Sequence, residues 1–191
     1  ISIVVLMTAC IDTSVTKDIL VKNSVELKSA IENAEPGNEI ILANGTWKDI
    51  EIEFTALGTD SKPITLRAET PGEVFIEGRS NLTFGGEYLI VEGLYFRNGF
   101  TPSNAVVEFK TADGKVANHC RLTNSVIVNF NQLNRDRVDH WVEFWGRNNQ
   151  NDQCSLSNLI TAKRRDGLQQ HSSRSILEDS NILDLIITCY S

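Results

Sequence analysis

Cysteine is scarce in this chain and poorly placed for chemistry that depends on it. The 191 residues hold 4 cysteines, at positions 10, 120, 154 and 189, with no Cys-x-x-Cys pair. That spacing offers neither a zinc knuckle nor a disulfide framework, and the thiols downstream of Cys10 read as core residues. Proline (4) and glycine (12) are too few for collagen-like or low-complexity sequence. No apolar run approaches the ~20 residues of a membrane-spanning helix. No P-loop, Gly-x-Gly-x-x-Gly, nucleophile elbow or His-Glu-x-x-His occurs. Basic residues are outnumbered, 18 Lys+Arg against 25 Asp+Glu for a net charge of -7, which argues against a nucleic-acid partner because phosphates demand a basic footprint. The hydrophobic fraction of 41% is that of a globular chain long enough to bury one core.

The N-terminus reads as a targeting segment. Ile1-Ser-Ile-Val-Val-Leu-Met-Thr-Ala-Cys10 has the length of a signal-peptide apolar region and ends in two small residues and a cysteine. Leu6-Met7-Thr8-Ala9-Cys10 resembles a bacterial lipobox, with Met7 where Leu is usual. The expectation is a partial lipoprotein signal over residues 1–9, lipidation at Cys10, a tether over 10–22 and an incomplete β-helix domain over 23–191. The product would be an exported bacterial lipoprotein of the periplasm or outer membrane, a monomer held to the membrane by its lipid.

Asn23-Ser-Val-Glu26-Leu-Lys-Ser-Ala-Ile-Glu-Asn-Ala-Glu35-Pro-Gly37 is the one clear helix. Asn23 caps it with Glu26 three residues on, Leu27, Ala30, Ile31 and Ala34 form one stripe, and Pro36-Gly37 stops it. The periodicity then changes to short strands: Glu39–Leu42, Ile50–Phe54, Ile64–Arg67, Val74–Glu77, Leu82–Phe84, Leu89–Glu92, Leu94–Phe96 and Val106–Phe109. Internal similarity chooses among sandwich, barrel and solenoid. Leu122-Thr-Asn124, Leu156-Ser-Asn158 and Leu177-Glu-Asp179 share one form, Cys120 and Cys154 precede the first two Leu identically, and Ile40, Ile64 and Leu89 begin strands at near-even intervals. Such recurrence predicts an all-β, right-handed parallel β-helix of about five or six coils, with Leu122, Leu156, Ile127 and Cys120 inward and the Asn23–Glu35 helix capping the N-terminal end.

Three segments carry a family resemblance. Pro36-Gly37-Asn-Glu-Ile-Ile-Leu42-Ala-Asn-Gly45-Thr46-Trp47-Lys-Asp49, then Pro63-Ile64-Thr65-Leu66-Arg67-Ala68 with Pro71-Gly72-Glu73-Val74, then Leu89-Ile-Val-Glu92-Gly93-Leu-Tyr-Phe96-Arg-Asn98-Gly99 resemble the N-terminal coils of polysaccharide lyase family 6, which includes alginate lyases and chondroitinase B. Asp139-His140-Trp141-Val142-Glu143-Phe144-Trp145-Gly146-Arg147 is more similar to the alginate-lyase branch. The resemblance implies β-elimination of an acidic polysaccharide such as alginate. In the complete family enzyme, calcium neutralises the uronate carboxylate, a lysine removes the C5 proton and an arginine assists the leaving oxygen. The calcium ligands there are an Asn of an Asn-Gly-Gly segment and a Glu-x-Glu pair.

The sequence departs from that pattern after Asn158, where Leu159-Ile-Thr-Ala-Lys-Arg-Arg-Asp166 replaces the Asn-Gly-Gly coil, and Gly167-Leu-Gln-Gln-His171 rejoins it. No catalytic residue is assignable on this reading, no metal site or cofactor is expected in this chain, and the chain is expected to be inactive as a truncated copy. The alternative is a lipid-anchored, non-catalytic carbohydrate-binding or structural β-helix. Candidate substrate contacts are Arg137, His140 and Arg147, joined by the basic run Lys163-Arg164-Arg165, because clustered cations concentrate a polyuronate. Trp141 and Trp145 share one side of a strand and read as core or sugar-stacking residues. Glu51-Ile52-Glu53 reads as a solvated face.

Overall fold

The computed structural model describes residues 17–131, 140–157 and 188–190. Seventeen strands and one helix make up these residues: β1 Asp18–Val21, α1 Ser24–Glu32, β2 Glu39–Leu42, β3 Gly45–Lys48, β4 Glu51–Leu57, β5 Ile64–Ala68, β6 Val74–Arg79, β7 Asn81–Glu87, β8 Leu89–Glu92, β9 Tyr95–Phe100, β10 Ala105–Glu108, β11 Ala117–Asn118, β12 Arg121–Thr123, β13 Val126–Phe130, β14 His140–Trp145, β15 Gln150–Asp152, β16 Ser155–Ser157 and β17 Thr188–Tyr190. They form three parallel sheets. The first runs β1-β2-β5-β8-β12-β15, the second β16-β13-β9-β6-β3, and the third contains β4, β7, β10, β11, β14 and β17. The chain visits the sheets in turn, which is a parallel β-helix.

Among the described residues four coils are complete, β2-β3-β4, β5-β6-β7, β8-β9-β10 and β12-β13-β14, and a fifth layer is marked by β15, β16 and β17, each stacked on the coil before it. The likeness of the Cys120–Leu122 and Cys154–Leu156 segments does not make them equivalent in the coil. Leu122 pairs with Asn151 in the first sheet, whereas Leu156 pairs with Ile127 in the second. Both leucines follow a polar corner, so their local sequences look alike although they stack in different columns. Cys120, Leu122 and Ile127 are buried as expected, and Leu156 is partly buried against the same core. The stretch read as tether contributes β1, whose residues pair with β2 from Asp18↔Glu39 to Val21↔Leu42.

α1 forms as its sequence dictates. The Asn23 side chain accepts from the Val25 and Glu26 amides at 3.1 and 3.0 Å, and Glu26 returns the bond by accepting from Lys22 N at 2.7 Å. Leu27, Ala30 and Ile31 face inward and cover the first coil.

The core is built of ladders. Because a strand alternates its faces, in-register pairing puts like positions on top of one another. Ile40, Leu66, Val91 and Leu122 stack in the first sheet, and Trp47, Ile76, Phe96 and Ile127 in the second. In the third, Phe84 stacks on Phe109 and Phe109 on Phe144, each pair 4.5 Å between ring centroids. Each such pair is worth ~0.5–1.5 kcal/mol beyond burial.

Corners are where the coils crowd. Asn149, itself buried, accepts from Cys120 N at 2.9 Å and donates to the Ala117 and Trp145 carbonyls, so it ties one corner to the next. Gly86 lies beside Ala56 with φ +130, and a Cβ there would meet the Ala56 carbonyl oxygen at 1.9 Å.

Two stability changes follow. Gly86→Ala combines backbone strain with a backbone clash and should lower the unfolding free energy by at least ~2 kcal/mol in urea titration. Asn151 stands below Leu122 in an apolar column, buried, with neither amide atom hydrogen-bonded. Asn151→Leu removes that unpaired amide and should raise stability by ~1–2 kcal/mol in the same titration.

Candidate functional site

The outer face of the third sheet carries a cluster of buried and half-buried charge that the fold brings together from distant sequence. Since Phe109 and Phe144 point inward, Glu108, Lys110, Glu143 and Trp145 point outward. Register places Glu108 directly beside Glu143. The same column continues through Thr83 to the exposed Glu53, so it runs from a solvated carboxylate to a buried one.

Like charges directly opposite repel, and burial adds to the cost of charging both. Lys110 offsets part of it. Its Nζ lies 3.9 Å from Glu108 Oε1 and 3.4 Å from the centroid of the Trp145 ring, held between a carboxylate and an aromatic face. Glu143 is 5% exposed and its Oε2 has no hydrogen-bond partner among the described residues. Burial, then the Glu108 charge, pushes the Glu143 carboxyl up to about 7 against the pull of Lys110. Burial raises Glu108 as well, and Lys110 opposes it. Near neutrality, therefore, Glu143 keeps its proton for about half the time.

The residues expected from sequence are dispersed. His140 opens β14, buried, its amide donating to the Asn104 carbonyl at 2.9 Å. Arg147 is exposed beyond the other end of the same strand, its amide donating to Asn118 Oδ1 at 3.1 Å. The extended strand alone spans ~16 Å from His140 to Trp145 before the chain turns at Gly146, which sets the two at opposite ends of β14. Trp141 is core, its indole donating to the Phe130 carbonyl at 3.0 Å. Cys10, Arg137 and the Lys163–Arg165 run lie outside the described residues. Cys120 and Cys154 are free, buried thiols, pushed by burial up to about 12 and about 11, and so inert. Sequence reading missed Glu108, Lys110 and Glu143. The signal was there as Val-Glu-Phe-Lys and Val-Glu-Phe-Trp, but only the coil register shows that the two glutamates touch.

Calcium does not fit these residues. Among the described residues no three His, Cys, Asp or Glu side chains group as a metal would need. At the Glu108–Glu143 pair the ammonium of Lys110 already stands where a divalent ion would seek charge. Glu51 of the Glu-x-Glu sequence is paired with Arg79.

The Chondroitinase B family model matches residues 21–169, and the chain belongs to that family. The structure of the PL6 family alginate lyase AlyGC is 46% identical, with 75% of this chain and 20% of that chain covered and a TM-score of 0.73. A PL6 family polysaccharide lyase from Pseudopedobacter saltans is 33% identical over 90% of this chain and 42% of its own, TM-score 0.76. A mannuronic acid specific family 6 lyase from human gut microbiota is 30% identical over 75% of this chain and 34% of its own, TM-score 0.68. The chain thus spans less than half the length of these relatives. No curated protein matches it.

The raised Glu143 pKa fixes a pH dependence. The folded state binds a proton that the unfolded chain, with Glu near 4.5, releases earlier, so stability is greatest below the unfolded value and falls as pH rises toward about 7. The loss should be on the order of 1–3 kcal/mol. Denaturant titrations across that window should show it in the wild-type chain, and Glu143→Gln should flatten it.

Proposed function

We propose that this protein serves the β-elimination of uronate polymers of the alginate type, with its coils providing polymer-binding surface. The observation that carries this reading is the family match over residues 21–169 together with 46% identity to an alginate lyase. The carboxyl pair and Lys110 on the outer face of the third sheet support it, because that face runs in register from coil to coil, as an extended polymer would need.

In the reaction itself the C5–H bond breaks to a base, its electron pair forms the C4–C5 double bond, and the C4–O bond breaks to release a protonated leaving oxygen. That chemistry needs a neutralised carboxylate and a positioned base. Neither group can be assigned among the described residues, and a missing general base alone costs ~10²–10⁴ in rate. Binding and turnover are therefore expected to separate in this 191-residue chain.

Native electrophoresis through gels containing alginate, dermatan sulfate or neutral dextran tests the reading. Retardation should be strongest in alginate and absent in dextran. Ultraviolet absorbance of the unsaturated product, followed with calcium supplied, should stay at background. Equal mobility in all three gels would remove the polyuronate assignment. A calcium-dependent rise would place the base within this chain, with His140 and Arg147 the first residues to replace.

A further inference from the structure

The Glu108–Glu143 pair carries more than a stability cost. An acidic pair alone marks nothing, but here a second observation points to a ligand: Glu143 is 5% exposed and its Oε2 is left without a hydrogen-bond partner among the described residues. A buried carboxyl oxygen with no partner is destabilising, a penalty that a ligand group reaching it would lift. Beside it, Lys110 is partly exposed and held over Trp145, so its ammonium stands ready for an incoming anion.

We propose that Glu108, Lys110 and Glu143 form a proton-linked subsite for one uronate unit, resting on the uronate reading above, in which Glu143 engages the sugar as the neutral acid. The O–H of Glu143 donates to the sugar carboxylate, Lys110 pairs with that carboxylate, and Glu108 accepts from a ring hydroxyl. A charged Glu143 would repel the same sugar. Binding above neutrality therefore takes one proton from solvent. The groups facing Glu143 are Glu108 and Lys110 from β10; Asp113 lies in the loop that follows, tied to Thr111 and the Lys115 amide. On its own strand His140 lies on the opposite parity, and β17 sets Thr188 opposite in backbone register, with Tyr190 opposite Trp145.

Isothermal titration with trimannuronate and with triguluronate, at fixed ionic strength, reads the subsite directly. Wild-type affinity should fall roughly tenfold between about pH 6.5 and about pH 8, with uptake of nearly one proton at the higher pH seen across buffers of different ionisation enthalpy. Glu143→Gln should bind alike at both pH values, Lys110→Met should bind more weakly at both, and Glu53→Gln, a solvated carboxylate in the same column, should keep the wild-type profile. If the wild-type chain binds neither trisaccharide at either pH, the uronate reading fails and the subsite with it. If it binds with no proton uptake, or if Glu143→Gln shows the wild-type drop, the subsite is overturned while the uronate reading stands. Should Glu143→Gln fail to fold, wild-type proton uptake decides alone.

Discussion

Everything in this molecule depends on the in-register stacking of one coil on the next. A parallel ladder fixes not only which residues pair but which face each presents, and a slip of one residue would exchange the two faces along a whole strand. The aromatic column Phe84–Phe109–Phe144 makes that slip prohibitive, since it would carry three buried rings into water at ~1.5–3 kcal/mol each. The same register then dictates the outer face. Once Phe109 lies on Phe144, Glu108 must lie beside Glu143, whatever repulsion results. The carboxyl pair is thus imposed by the core and stabilised after the fact by Lys110 and a retained proton.

Corners obey a different rule, because there the chain must turn within one or two residues while its polar backbone is covered by neighbouring coils. Gly93, Asn124 and Gln153 follow the first-sheet strands β8, β12 and β15, and all have positive φ. Asparagine tolerates that region better than most residues, since its short amide can bond to the local backbone. Side chains of the following coil complete the corners: Ser80 Oγ accepts from Ile50 N at 2.9 Å, and Ser125 Oγ from Leu94 N at 3.3 Å. These bonds run between coils, so each corner adds to the nearest-neighbour coupling on which a solenoid's stability rests.

This division explains what the sequence could reveal. Helix α1, the short strands, the turn role of Asn124 and the inward set Cys120, Leu122 and Ile127 were all legible, because each is written in a local period or cap. The pairing of Leu122 with Asn151 was not. A reader matching Leu to Leu is led to Leu156, because coils of unequal length break the spacing and the true partner is polar. The site was hidden for the same reason. Val107-Glu108-Phe109 and Val142-Glu143-Phe144 are each unremarkable strands with one outward acid, and only the fold converts two solvated glutamates into one buried pair. His140 and Arg147, close in sequence and chemically suggestive, are set at opposite ends of β14 by its extended geometry.

Charge placement bears on the proposed binding of a polyanion. Four arginines of the described coils are committed to carboxylates of a neighbouring coil: Arg67 to Glu39, Arg79 to Glu51, Arg97 to Glu77 and Arg121 to Asp152. Such half-exposed pairs contribute at most ~1 kcal/mol each, but they align successive coils and remove those guanidinium charges from the long-range field. With an overall charge of -7, steering of a polyuronate cannot come from the molecule as a whole. The column from Glu53 to Glu143 offers a local lessening of negative charge, in which burial and Lys110 do the neutralising. A carboxyl that keeps its proton near neutral pH removes a repulsive charge without adding a cation, which suits a face already carrying Glu53 and Glu108.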